Sequence, residues 1–580
     1  MKQIKRSKTK TTLSVKLALF FVFLILVVSS LFSVKYAKEK NIEYAVLTES
    51  KKIASPQSSS SAGFYKESLV LKLNTSEKGS LIYYTLDGTE PSLKSEIYSK
   101  PIVLSNRSSA PDKLAIIPTS PRWKQPIESV FKGTVLRAIA VLDGKKSKEL
   151  VQTFFIDEQN SAHYHLPTIE LTVNEEDVFG YENGIYVLGK NYEDKDYYIR
   201  KKVSLDMPWW YYPSNYLKRG INSERPVHIE YFETTGRLGF SIDAGLRING
   251  NATRGYAQKS LRICFRDKYG MGALNYNLFP KSKTRVFNSI ILRNSGNDWD
   301  KTMFRDAFMQ SLMQDSKLDI QQYQPSIVFI NGEYWGLHNI RERSDENYIS
   351  NKYGIDKDSL TILELRGSLF YGKKSDPDGF SNLLKFISTN DLSKEENYRY
   401  VEKQIDLENF MDFIIANVYF CNSDWPNNNV KYWRYKAEIA GLDSVGKRDG
   451  RWRWMLFDTD WGFGYTGKES YTMNLFEKAT KTSSIGVIFG GLLQNKTFLN
   501  KFSERFNHHL ETTFKTETVL ERINEFQEVL KPEMKEHIDR WRVIGSYSQW
   551  EEYVEELRAF AKQRPAIQKQ QLNEFIQKYK

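Results

Sequence analysis

At 580 residues the chain is too long for one hydrophobic core, since single cores stop growing near about 250–300 residues, and more than one domain is expected. Its 40% hydrophobic and 14% aromatic content excludes a mainly disordered protein. The formal charge of +12 is interleaved with acidic residues rather than gathered in one arm, and no zinc-ligand spacing or RNA-binding signature accompanies it, which argues against a nucleic-acid partner.

The first predicted element is an apolar run, Leu17 to Val34, of about 18 uncharged residues, enough to span a bilayer. Lys2, Lys5, Arg6, Lys8, Lys10 and Lys16 precede it. The positive-inside rule then predicts a cytoplasmic tail over 1–16, a single-pass anchor over 17–34 in the cell membrane, and an extracytoplasmic remainder. A cleaved signal peptide is the rival reading; the run is long for one, and only Ser29-Ser30 and Tyr36-Ala37 offer small-residue sites. Two cysteines, Cys264 and Cys421, are too few for a disulfide framework.

Residues 35–62, Lys/Glu-rich and then Ser-rich, read as a spacer. Over 63–158 the pattern turns β. Ser68 to Leu73 and Ser80 to Thr85 alternate and Gly133 to Val141 reads as another strand, punctuated by Asp87-Gly88 and Asp143-Gly144, and together they predict a small Ig-like β-sandwich. Ile82 to Pro91 followed by Gly133 to Ala138 resembles the Ig-like module at the C-terminus of chitobiases and hexosaminidases. The resemblance implies no catalysis; a spacer role and a cell-wall carbohydrate partner both stand.

A β-rich stretch is expected over 163–236, with strands at Leu166–Leu171, Gly184–Gly189 and Val227–Tyr231. The aromatic cluster Trp209-Trp210-Tyr211-Tyr212 between them either stacks a ligand or plugs its own loop. From 237 to 575 the pattern is mixed. Helical spacing marks Lys301–Met313, Leu407–Val418 and the run Phe498, Phe502, Phe506, Leu510, Phe514. Gly245 to Ile248 and Lys259 to Ile263 read as strands around a loop flanked by Gly250 and Gly255. Such a loop can approach phosphates closely, although it lacks G-x-G-x-x-G spacing, and a hairpin with an exposed lysine is the plainer reading.

The most telling residues are Asn422-Ser423-Asp424-Trp425-Pro426-Asn427-Asn428-Asn429 and, further on, Phe457-Asp458-Thr459-Asp460-Trp461-Gly462. An Asp with an Asn five positions on, then a strand ending in another Asp, is how protein kinases lay out phosphoryl transfer. In that layout Asp424 orients the acceptor hydroxyl, Asn429 and Asp458 hold magnesium, and Asp460 supports them. Two carboxylates two apart on an extended segment would face the same side. Lys259, Glu342 and Arg293 are the candidate nucleotide contacts, with Lys259 expected to pair with Glu342; an ordinary surface Arg341/Glu342 pair is the alternative.

Residues 165–575 resemble the spore-coat protein H (CotH) kinase family. The segments are Arg247 to Thr253 with Lys259-Ser260, Leu292-Arg293-Asn294 with Asp298 and Arg305-Asp306, Asn331 to Leu337 with Glu342, Asn422-Ser423-Asp424, and Asp458 to Gly464. The resemblance implies an α+β, atypical protein kinase-like domain, β-rich first and helical later, transferring phosphate from ATP with Mg2+ to Ser of a protein substrate. A non-catalytic carbohydrate-binding or adhesion protein with an inert kinase-like domain is the alternative; a glycosidase, argued only from abundant carboxylates, is weaker.

Overall fold

A computed structural model describes residues 53–158, 164–194, 208–436 and 443–580. The apolar run 17–34 lies outside the described residues; among those described, no helix is long and apolar enough to cross a membrane.

The first module is a sandwich. One sheet joins Gly63–Tyr65, Leu150–Ile156, Thr134–Leu142, Leu81–Thr85 and Glu96–Ile97, and the ribbon Leu69–Leu71/Ile102–Leu104 packs on it. Alternation sends Leu71, Ile82, Leu104, Leu136 and Phe154 into a shared core. The Ser-rich stretch expected to be spacer is built into this fold. Gln57–Ser58 pairs with Leu73–Asn74, and Ala62 is buried.

The second module opens with a closed seven-stranded barrel: β1 (Thr168–Val173), β2 (Arg225–Phe232), β3 (Leu238–Ile248), β4 (Leu261–Cys264), β5 (Ser289–Arg293), β6 (Tyr323–Ile330) and β7 (Glu333–Arg341). Their spatial order is β1-β2-β3-β4-β5-β7-β6, and β6 closes onto β1 in parallel. The β2–β3 hairpin crosses residue 236, so the β-rich stretch and the mixed region beyond it share one barrel. Gly184–Gly189, expected as a strand, forms turns instead. The Tyr186 amide donates to Val178 O, and the Tyr186 hydroxyl accepts from the Lys259 amide and the Trp335 indole. An apolar run buried on all sides looks the same in sequence whether strand or packed turn.

Beyond the barrel, α1 (Arg305–Leu312) lies between β5 and β6. A second sheet contains β8 (Leu360–Glu364), β9 (Ser368–Tyr371), β10 (Lys431–Tyr435) and β11 (Arg453–Leu456), ordered Asp319–Ile320, β11, β10, β8, β9. Helix α2 (Leu407–Tyr419), capped by Asp406, packs on β11. Its Asn409 side chain is tied to both the amide and the carbonyl of Trp454. Downstream lie α3 (Phe476–Lys481), α4 (Lys496–Glu511), α5 (Met534–Trp541) and α6 (Tyr547–Gln577). Phe498, Phe502 and Phe506 fall on the buried face of α4, as their spacing predicts.

Beside the sandwich's own core, a second apolar cluster joins the two modules. Ala62, Leu114, Ala115, Val130, Phe131 and Phe155 belong to the same cluster as the barrel residues Ile169, Phe232 and Phe329. The buried Glu333 carboxylate accepts the amides of Lys113, Leu114 and Ala115 at 2.6, 3.0 and 2.7 Å. The aromatic cluster near 210 also packs on its own chain, with Trp209 stacked on Tyr256 and Arg122 lying over the Trp209 ring.

A buried carboxylate taking three amides leaves all three orphaned when removed. Glu333→Ala is therefore expected to lower unfolding free energy by about 3 kcal/mol in denaturant titration. Sandwich and barrel should still unfold in one calorimetric transition, because Phe131 and Phe155 remain packed in the barrel's apolar cluster.

Candidate active site

Two loops meet because the strands beside them are paired. β10 starts just after the Asn422–Asn429 loop, β11 ends just before Asp458, and the antiparallel register sets Lys431 opposite Met455. Asn429 and Asp458 therefore emerge at the same end of the pair. The Asn429 Nδ2 amide donates to Asp424 Oδ2 at 2.9 Å and to Asp458 O at 3.3 Å, and Asn428 Nδ2 donates to Asp424 Oδ1 at 2.6 Å. The loop is anchored to the end of α2, where the Asn422 amide reaches Asn417 O.

Asp458 is not extended. Its φ is 54° and that of Asn429 is 57°, a left-handed conformation that Asp and Asn adopt more readily than most residues. Strict alternation is lost, yet Asp458 and Asp460 still reach one cation. Arg293 Nη2 donates to Asp458 Oδ1 at 2.5 Å and to Asp460 Oδ2 at 2.7 Å. Asp460 also accepts the Asn297 amide at 2.9 Å and Asn297 Nδ2 at 3.1 Å. The turn between the two carboxylates is held by Asp306, whose Oδ1 accepts Thr459 N at 2.8 Å and Thr459 Oγ1 at 3.0 Å.

Asp306 also faces two guanidiniums, Arg341 Nη1 at 2.9 Å and Arg293 Nε at 3.9 Å from its Oδ2. Burial works against its charge, but Arg341 and Arg293 outweigh it and hold the carboxyl at about 2. Burial likewise opposes the Arg293 charge; Asp458, Asp306 and Asp460 overcome it and keep the guanidinium protonated. Asp460 goes the other way, pushed up to about 7 by burial and then by the charge of Asp458, with Arg293 opposing. Asp306 and Asn297 were not among the sequence candidates. The strand-ending Arg293 and the Arg305-Asp306 pair that follows it carried the signal, but nothing local says that they meet.

Lys259 lies elsewhere. It is fully buried, and its ammonium donates to Thr119 O, Arg254 O and Tyr256 O at 3.0, 2.8 and 2.7 Å, with the Tyr216 ring 3.9 Å away. The expected pair with Glu342 is not formed. Glu342 is buried, takes the Gln322 amide at 3.0 Å, and is pushed up to about 7 by burial. An ammonium surrounded by carbonyls is satisfied as a structural tie, here joining the sandwich loop at Thr119 to the loop at 254–256. The strand-end cation with an acidic partner from the following helix is instead Arg293 with Asp306.

Asp458 and Asp460, which share the Arg293 guanidinium, and the neutral amide oxygen of Asn429 are hard oxygen donors of the kind that divalent cations take. Among the described residues no three His, Cys, Asp or Glu side chains are grouped as a metal site. An oxygen site of two carboxylates and an amide relies on ligand phosphates to complete the shell.

Residues 246–567, more than half of the chain, match the family model described as CotH kinase protein. Residues 71–154, the sandwich expected to resemble a chitobiase module, match the model described as Fn3 associated. No curated protein matches the chain.

Lys259→Met should destabilise the fold by about 3 kcal/mol in urea titration, because three buried carbonyls lose their donor. Its effect on nucleotide affinity, by calorimetry, should be small once the variant is folded. Asp460 gives a pH signature. Its folded-state value lies above the unfolded one, so the stability it contributes is full below about 4 and is lost as pH rises through about 7. In metal-free buffer the melting temperature should fall across that window, and Asp460→Asn should flatten that part of the profile.

Proposed function

The chain belongs to the CotH kinase protein family, a membership that points to an atypical protein kinase-like function, and from that premise we propose a Mg-dependent phosphotransferase. It moves the terminal phosphate of ATP to Ser or Thr of a surface or coat protein. It acts outside the cytoplasm, tethered by the apolar run 17–34. The observation that carries the proposal is the Asn429 side chain, which spans Asp424 Oδ2 and Asp458 O and so joins the acceptor-orienting group to the metal-binding segment.

In this mechanism Asp424 is the catalytic group. Its carboxylate, oriented by Asn428 and Asn429, accepts the proton of the acceptor hydroxyl as that oxygen attacks. Asn429 and Asp458 would hold the metal, with Asp460 behind them. Bound there, magnesium supplies charge neutralisation on the donor phosphates. Arg293 takes the phosphate-contacting role expected from sequence for Lys259, and Asp306 keeps the guanidinium and the Asp458–Asp460 turn in place.

Incubating the chain with labelled ATP, magnesium and a Ser-rich acceptor should label the acceptor, and Asp424→Ala should reduce the rate by about 100-fold or more. Equal labelling by both proteins would refute the assignment. Absence of labelling and of ATP binding by the wild type would favour an inert adhesion domain.

A further inference from the structure

The outer face of the barrel carries more positive charge than its carboxylates answer. Leu246, Leu261, Ile290 and Ile340 face the barrel core, so the residue that follows each of them, Arg247, Arg262, Ile291 and Arg341, faces outward. The register sets these four in one row across β3, β4, β5 and β7, with Arg247 opposite Arg262, Arg262 opposite Ile291 and Ile291 opposite Arg341. Arg293, two residues past Ile291, shares that face. It lies diagonal to Arg262, a separation of about 7–8 Å that long side chains cover.

Two of these cations are neutralised. Arg293 is shared by Asp458, Asp460 and Asp306, and Arg341 is held by Asp306. Arg262 is not. Its side chain is 18% exposed, its Nε is buried without a partner, and Asp345 at 4.0 Å is its only ion pair among the described residues. That carboxylate is already bound by Arg343 and accepts the Asn347 and Tyr348 amides at 3.0 and 3.1 Å, capping the helix Glu346–Tyr353. Lys431, the first residue of β10, is buried with its ammonium on Ser344 O at 3.0 Å. It shares the Phe370 ring with Arg343, at 3.6 and 5.6 Å, and lies 5.2 Å from the ring of Phe457, the neighbour of Asp458. Burial and then Arg343 pull both Arg262 and Lys431 below their ordinary values, Lys431 to about 8. Cations crowded around one shared carboxylate cost stability, which points to a ligand that relieves them.

We propose that Arg262, with Arg343 and Lys431 beside it, binds the donor phosphates that remain on the leaving group. The inference rests on the phosphotransfer reading above and names the chemistry of its donor site: a linear polyphosphate lying on the outer face of the barrel, from Arg293 to Arg262. Arg293 meets the end of that chain beside Asp458 and Asp460, with its charge divided among three carboxylates. Arg262 adds a charge that no carboxylate holds at hydrogen-bonding distance, on a planar fork that matches phosphate oxygens. It sets affinity for the phosphate chain and takes no part in proton transfer, which stays with Asp424.

The test uses the full chain as wild type, Arg262→Met and Arg262→Lys, with magnesium and two probes, ATP and inorganic tripolyphosphate. By calorimetry Arg262→Met should weaken binding of both by about 30-fold, the scale of one charge-assisted contact, and Arg262→Lys should recover part of the loss. The ligand-free melting temperature of Arg262→Met should stay level or rise, because the change removes a repelled charge and no hydrogen bond. Unchanged affinity for either probe in Arg262→Met overturns the proposal. So does a loss of affinity accompanied by a lowered ligand-free melting temperature, which would make Arg262 a structural residue. A wild type that binds neither probe overturns it as well. If tripolyphosphate binds and depends on Arg262 while ATP labels no acceptor, the phosphotransfer reading falls and the phosphate site stands.

Discussion

The Arg293 guanidinium is the charge around which the site is organised. Burying several carboxylates together is expensive unless a cation lies within hydrogen-bonding distance of them. Arg293 reaches Asp458 and Asp460 directly and lies 3.9 Å from Asp306, so residues from β5, α1 and the segment after β11 are locked into one geometry. The same crowding has opposite effects on its members. Asp306, facing two guanidiniums, stays ionised, whereas Asp460, buried beside Asp458, is drawn up to about 7. A site with one carboxylate poised near neutrality responds strongly to any further cation placed against it.

Strand pairing makes this clustering possible. With Lys431 opposite Met455, the chain before β10 and the chain after β11 leave the sheet at the same end, so the intervening sequence adds nothing to their separation. Asn409 on α2 ties that helix to β11 and so sets where the Asn422–Asn429 loop begins. Distances at the carboxylates are the sum of these backbone constraints, each satisfied by a buried hydrogen bond.

The Fn3-associated module takes part in the same framework. Its connecting loop gives three amides to Glu333 and a carbonyl to Lys259, and its Phe131 and Phe155 pack against Phe329 of the barrel. A spacer would share few buried contacts with the domain it carries. Lys259 illustrates the point: a lysine whose sequence context suggested phosphate is committed to holding two modules together.

Much of the architecture was legible in the sequence. Alternation in Leu81–Thr85 and the four-residue spacing of Phe498, Phe502 and Phe506 are local signals, and each produced the element it indicates. The loops bearing Asp424, Asn429, Asp458 and Asp460 were equally plain, since polar residues at the end of a buried helix or strand stand out by pattern alone. Which cation serves them was not. Lys259 and Arg293 both sit at strand margins beside polar loops, and the difference lies in what closes around each: backbone carbonyls in one case, carboxylates in the other. Local sequence determines where donors and acceptors occur and which segments can be strands or helices. Only the closure of the barrel and the register of β10 on β11 decide which of them meet, because partners far apart in the chain are chosen by burial and not by spacing.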